Sequence, residues 1–229
     1  MDYCISDIHG HYDLFCRLMD RIDFCQGDRL FVAGDILEKG PDSIRLAKLL
    51  YSMSDVFCIA GNHEYDFLRY FHSLMRDTDD YDLVLSKLRS YFSDGDLLDW
   101  DIVDFLEGLP YYLETDRFLM VHAGLPVKDG KALRPEDTPE RTLVCDRTFK
   151  EPDVLPEDGK CVFFGHTPTW YLTGGKYEIL FYPRKGAPSN STDVNDYCKI
   201  HLDLDTALSG VLGCVSVDTS EAFYVKRCD

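Results

Sequence analysis

Hydrophobic positions in the first third of the chain alternate between two spacings. Short continuous apolar runs at residues 3–6, 30–33 and 55–60 read as buried strands. Between them, Leu14, Leu18 and Ile22 recur at a helical interval and predict a helix over 13–22. Ile44, Ala47 and the pair Leu49/Leu50 form the inner face of a second helix, opened by Gly40-Pro41-Asp42-Ser43 because proline suits a first helical turn. Strand, helix, strand, helix, strand implies a parallel sheet with right-handed crossovers, and such sheets build their sites at the carboxyl ends of the strands.

From Glu64 to about residue 113 the pattern turns helical. Phe67, Phe71 and Leu74 make one stripe, extended by Leu83, Leu88 and Tyr91. Residues 97–109, with Trp100, Val103, Phe105 and Leu106, predict a further helix, and the acidic stretch 77–82 a solvated turn. Strands return at 118–121, 161–164, 178–182, 199–204, 212–217 and 222–225. The last three are closely spaced and predict an antiparallel meander forming a second sheet packed on the first. The expected organisation is one domain over residues 1–229 with a helical insertion at about 65–113, and residues 183–196 form a polar loop.

The chemistry gathers where apolar runs stop. Leu30-Phe31-Val32-Ala33 ends at Gly34-Asp35. Four other runs end the same way: at Asp7-Ile8-His9-Gly10, Gly61-Asn62-His63-Glu64, His122-Ala123-Gly124 and Gly165-His166-Thr167. Taken singly, an Asp or Asn after a strand caps a turn, and a lone buried histidine is a satisfied core residue. Strand ends delivering two carboxylates, an amide and three imidazoles to one sheet edge point instead to divalent metal, with Asp35 placed between two ions. Asp, Asn and His suit Mn, Fe or Zn better than calcium. A two-ion site acidifies a shared water and clamps phosphoryl oxygens for in-line attack. No Gly-x-Ser-x-Gly elbow or Cys-x5-Arg loop supplies a protein nucleophile.

Composition narrows the classes. The formal charge of −17 disfavours a reader of nucleic-acid duplexes, which needs a basic surface. No apolar run approaches the ~20 residues of a membrane span, and the N-terminus lacks the pattern of a signal peptide. The nine cysteines are odd in number, with no C-x-x-C pair. Cys4, Cys58 and Cys161 sit in strand-like runs, so reduced core thiols in a cytoplasmic protein are expected. No oligomeric state is read from the pattern.

In order and spacing, these motifs resemble the signature of the calcineurin-like metallophosphoesterases, most closely the phosphoprotein phosphatase branch in its short bacterial and phage form, to which the symmetric diadenosine tetraphosphate hydrolases are related. The resemblance implies an α/β fold: a four-layer α/β/β/α sandwich of two mixed sheets flanked by helices, with a helical subdomain. It further implies that Asp7 and His9 hold a first metal, that Asp35 bridges, and that Asn62, His122 and His166 hold the second, while His63 protonates the leaving group. Where the family has an Asp to orient that histidine, this chain has Glu38. Where the family follows with Arg, it has Lys39, a charge without the bidentate fork. Arg147 stands by position for a later phosphate-binding arginine, and Asn62 also faces substrate. The competing readings are a surface acid for Glu38, a solvated lysine for Lys39 and a structural ion-pair partner for Arg147. His11, His72 and His201 match no ligand position, and Glu64 is expected to steady the turn after His63.

The expected activity is hydrolysis of a phosphate ester by a metal-bound hydroxide with two divalent ions, Mn first. The substrate expected first is a phosphoserine or phosphothreonine protein. The alternative is a dinucleoside polyphosphate or another phosphorylated small molecule, and a metal-binding module without turnover is the remaining class.

Overall fold

The computed structural model describes residues 1–89, 92 and 98–227. Its elements run β1 (Asp2–Ile5), α1 (Tyr12–Arg21), β2 (Arg29–Val32), α2 (Ser43–Ser52), β3 (Val56–Cys58), α3 (Asn62–Asp77), α4 (Tyr81–Arg89), α5 (Trp100–Glu107), β4 (Tyr112–Glu114), β5 (Phe118–Val121), β6 (Val127–Lys128), β7 (Lys131–Ala132), α6 (Glu140–Cys145), β8 (Cys161–Phe164), α7 (Trp170–Thr173), β9 (Leu180–Pro183), β10 (Tyr197–His201), α8 (Thr206–Ser209), β11 (Val211–Ser216) and β12 (Ala222–Lys226). One sheet has the order β12-β11-β1-β2-β3 and the other β4-β5-β8-β10-β9. The pairs β1/β2 and β2/β3 are parallel, as are β5/β8 and β8/β10, while β1/β11, β11/β12, β4/β5 and β9/β10 are antiparallel.

Strands covered on both faces must be apolar on both, and side-chain parity then assigns each residue to a layer. In β1 and β2, Tyr3, Ile5, Leu30 and Val32 face Leu14, Leu18, Ile44 and Ala47 of α1 and α2. Cys4 and Phe31 face the other way, onto Phe118, Met120 and Phe163 of the second sheet. Phe31 and Phe163 each meet the Phe118 ring nearly edge-on, at centroid distances of 5.0 and 5.3 Å, a favoured aromatic geometry. Val121, Val162 and Phe164 take the opposite parity and pack with Leu143 of α6 and Phe149. The four-layer arrangement follows from this division of one apolar pattern among three core layers.

The tail departs from the expected meander. β10 lies in the second sheet, parallel to β8, whereas β11 and β12 cross over and extend the first sheet beside β1. The stretch between β10 and β11, containing α8, carries the chain between layers. Close spacing of strands does not reveal such a change of sheet. In the helical region Phe67, Phe71, Leu74 and Leu88 are buried as expected, but Leu83 is 43% exposed. Tyr91 and Leu97 lie outside the described residues. No helix among the described residues is long and apolar enough to cross a membrane, and the eight described cysteines are all free.

A buried lysine closes the outer face of the second sheet. Lys199 has no exposed surface, and its ammonium donates to the carbonyls of Phe149, Glu151 (2.8 Å) and Val154 (2.7 Å). It also lies 4.5 Å from the Tyr182 ring centroid, a cation–π contact. Lys199→Met is expected to lower the unfolding free energy by roughly 2–4 kcal/mol in urea melts, because three carbonyls lose their donor. Burial pushes the Lys199 pKa down to about 8 from the ordinary 10.5. Between those two values the unfolded chain binds the proton and the folded chain does not, so stability gains with rising pH. The stability of the wild type relative to the methionine variant should therefore rise across that window.

Candidate metal centre

Asp7, Asp35, His122 and His166 follow the carboxyl ends of β1, β2, β5 and β8, and Asn62 begins α3. The loops that carry them are stitched to one another. His9 and Gly10 donate backbone bonds to the carbonyls of Asp35 (2.9 Å) and Ile36 (2.7 Å), and Gly165 donates to His122 (2.8 Å). Two glycines permit the close approach: a Cβ on Gly61 would land on the Asp35 carboxylate, and one on Gly165 on the Ser6 hydroxyl and the Asp7 carboxylate.

Glu64 organises the largest of these loops. Its side chain is fully buried. One carboxylate oxygen accepts the N–H groups of Asp35 (2.9 Å) and Gly61 (2.8 Å), and the other those of Ile36 and Leu37 (both 2.9 Å). The bond from Gly61 is half of a capping box at the start of α3. A single carboxylate therefore fixes the position of Asp35 relative to Asn62 and His63. The sequence reading, which gave Glu64 only the turn after His63, understated this.

Asp35 lies at the centre. Its Oδ1 is 3.3 Å from His122 Nε2, and its Oδ2 is 3.5 Å from His9 Nε2 and 3.8 Å from His63 Nε2. Two groups of ligand-bearing side chains each converge within 4.8 Å: His9, Asp35 and His63, and Asp35, His122 and His166. Asp35 belongs to both. Asn62 Oδ1 sits between His122 Nε2 (3.1 Å) and His166 Nδ1 (2.8 Å). Asp7 completes the rim, with Oδ1 4.0 Å from His9 Nε2 and Oδ2 accepting from the Ser6 hydroxyl and the His166 backbone N–H (3.1 Å). All six side chains named from the sequence as ligands thus meet in one place.

Tautomers follow from the partners. His9 Nδ1 lies 2.9 Å from the Leu37 carbonyl and His122 Nδ1 2.7 Å from that of Ala33. A carbonyl only accepts, so Nδ1 carries the proton in both rings, and each Nε2 lone pair faces the cluster. Burial lowers the pKa of both histidines, and His166 is pushed down to about 2, chiefly by burial, with the Arg147 charge adding to it. Asp7 moves the other way, up to about 6, because burial penalises its charge, and burial raises Asp35 as well. Neutral imidazoles and buried carboxylates converging on one point are the donor set of a divalent cation. The buried Nε2 of His166 has no hydrogen-bond partner. The residues fit a metal centre.

Around this cluster, Glu38 reaches His63 Nδ1 directly despite its extra methylene. Burial opposes the charge on His63, but the Glu38 bond and Asp35 outweigh it and raise its pKa above the ordinary 6.5. Lys39 Nζ lies 2.8 Å from His9 Nε2. Arg147 is exposed and donates to Thr167 Oγ1 at 3.3 Å, beside His166. Of the histidines set aside, His72 pairs with Glu107 on the surface. His201 is buried, stacks on Phe164 at 4.3 Å and bonds the Thr167 carbonyl at 2.6 Å, bracing the His166 loop. Sequence reasoning missed Ser6 and the bracing by His201. The place of Ser6 immediately before Asp7 was the available signal, whereas nothing local marked His201.

A family model for calcineurin-like phosphoesterases matches residues 3–208. A symmetrical bis(5'-nucleosyl)-tetraphosphatase of Buchnera aphidicola is 35% identical over 130 residues, covering 54% of this chain and 44% of that protein. The chain thus spans about half the length of the curated relatives it matches. Among solved structures, a metallophosphoesterase from Sphaerobacter thermophilus covers 99% of this chain and 87% of its own, with a TM-score of 0.57 and 14% identity. A protein serine/threonine phosphatase from Saccharomyces cerevisiae covers 100% of this chain and 80% of its own, with a TM-score of 0.54 and 14% identity. At these identities the structures share the fold and nothing finer.

Glu64→Gln replaces an acceptor of two N–H groups by an amide that donates. The unfolding free energy should fall on the order of 3 kcal/mol, read by urea titration. A change below 0.5 kcal/mol, the scale of an ordinary surface substitution, would contradict the organising role.

Proposed function

This chain belongs to the calcineurin-like phosphoesterases, and we propose that it hydrolyses the phosphoanhydride chain of a dinucleoside polyphosphate at a centre of two divalent cations. The observation that carries the two-metal reading is Asp35, whose two oxygens face different histidines, His122 and His9, at 3.3 and 3.5 Å. In this reading Asp7, His9 and Asp35 hold one cation, and Asp35, Asn62, His122 and His166 the other, with manganese the most effective ion. When bound, the pair supplies Lewis acidity that ionises water and neutralises phosphoryl oxygens.

The chain's own residues supply the rest. His63, oriented by Glu38 at Nδ1, presents Nε2 toward the cluster and gives its proton to the leaving oxygen, a general-acid role. Lys39, Arg147 and the Asn62 amide hold the non-bridging oxygens of the phosphate under attack. The water oxygen bonds to phosphorus, the bridging P–O bond breaks, and the proton passes from His63 to the departing phosphate. The phosphoprotein substrate expected first gives way to the alternative, because the curated relatives that match are symmetrical tetraphosphatases, whereas the likeness to a protein phosphatase rests on the fold alone.

The substrate test offers manganese-loaded protein diadenosine tetraphosphate, a phosphoserine peptide and p-nitrophenyl phosphate. Two ADP per tetraphosphate is the expected product. Phosphate release from the peptide with the tetraphosphate left intact would overturn the substrate reading, and silence on all three with metal bound would overturn the hydrolase itself. Two substitutions separate the roles. Asp35→Asn should abolish turnover and lower metal content, measured by elemental analysis. His63→Asn should cut kcat by roughly 10²–10⁴ with metal content unchanged; loss of metal instead would make His63 a ligand.

A further inference from the structure

A cavity of about 940 Å³ opens beside Lys39, away from the clustered aspartates and histidines. Its walls are the start of α1, the loop of residues 39–42, Ala207 and Arg227. Arg17, Lys39 and Arg227 supply three cations against the two carboxylates of Asp13 and Asp42. In a chain with 41 acidic and 24 basic residues, that local majority reverses the global balance. Lys39 stands between the cavity and the metal centre: it lines the cavity, and its Nζ lies 2.8 Å from His9 Nε2. Buried His11 stands in its wall, with Nδ1 3.4 Å from the Arg227 guanidinium, and its Nε2 has no partner. Tyr12, also in the wall, carries the Arg45 guanidinium 3.8 Å from its ring centroid. A planar cation on an aromatic ring is a surface on which nucleobases stack. The volume matches pockets for nucleotide-sized ligands, about 300–1,000 Å³.

We propose that this cavity binds the nucleotide half of the substrate beyond the phosphate under attack. Arg17 and Arg227 hold its non-reacting phosphates, and Tyr12 with Arg45 receives the base. The assignment rests on the dinucleoside polyphosphate reading above. It accounts for a cavity that a single phosphoryl group would not fill, and for cations set apart from the reacting atoms.

The test measures KM for diadenosine tetraphosphate and for p-nitrophenyl phosphate on manganese-loaded Arg17→Glu, Arg227→Glu and Arg17→Lys variants. Both arginines are exposed, and melting curves verify that each variant is folded. Charge reversal should raise the ratio of the two KM values, tetraphosphate over nitrophenyl phosphate, tenfold or more, and Arg17→Lys should keep it within about threefold of wild type. A ratio that stays within twofold in both charge-reversed proteins overturns the cavity assignment while the substrate reading stands. Wild-type protein that cleaves p-nitrophenyl phosphate but leaves the tetraphosphate intact removes both.

Discussion

The centre depends on a carboxylate that faces away from the reacting atoms. Glu64 takes up four backbone N–H groups from two segments that are far apart in sequence, one after β2 and one before α3. The donors belong to buried residues, and Glu64 accepts all four. A buried carboxylate is costly unless its oxygens are filled, and here the filling comes from the two segments it joins. The interaction is mutual: the loop keeps Glu64 tolerable in the core, and Glu64 keeps Asp35 where two histidines can reach its separate oxygens. Asn62 and His63 share the helix start that Glu64 caps, so three site positions inherit their placement from one side chain.

That placement is held against strain. Among the described residues ten non-glycine residues have positive φ, and six of them are Asp7, His9, Asp35, Glu38, Lys39 and His166. Each costs on the order of 1 kcal/mol relative to a relaxed backbone. Such conformations persist because surrounding bonds over-determine them: His9 N–H to the Asp35 carbonyl, Gly10 N–H to Ile36 and the Glu64 set. The gain is directional. A strand that simply continued would alternate its side chains between the two faces of the sheet, whereas a left-handed turn at its end swings Asp7 and Asp35 off the sheet edge toward one another. Electrostatic strain is stored in the same place, with carboxylates raised and imidazoles lowered by burial. A bound cation would relieve both sets at once, since it supplies the positive charge the carboxylates lack and accepts the imidazole lone pairs.

Much of this was legible in the sequence because the chemistry sits at strand ends, where an apolar run stops on a small residue. The convergence of six ligand-type residues was readable from those interruptions and their order, while the four-layer fold and the place of His63 came with the family resemblance that the motifs carry. What was not readable depends on three-dimensional closure. Glu64 looks like any helix-start acid until the 35–37 loop is seen folded over it. The departure of β11 and β12 to the first sheet depends on packing across β1, because the apolar alternation of those strands suits either sheet. Nothing in the sequence marks Lys199 as buried. Its burial follows from three carbonyls of the 149–154 segment, which local pattern cannot bring near it. Leu83 failed for the opposite reason: its apolar side chain fitted the helical stripe, but α4 turns it outward.

Glu38 and Lys39 mark where this chain departs from the pattern it otherwise follows, and their geometry makes the departures intelligible. A glutamate is one methylene longer than an aspartate, and from a left-handed backbone it still reaches His63 Nδ1. Lys39, also left-handed, places a single charge against His9 instead of a planar fork. A point charge neutralises a phosphoryl oxygen without dictating the plane of approach. A planar fork stands instead at the exposed Arg147, which donates to Thr167 on the loop that carries His166. On the proposed function, the single charge of Lys39 suits a substrate aligned by contacts spread along its length rather than at one phosphate.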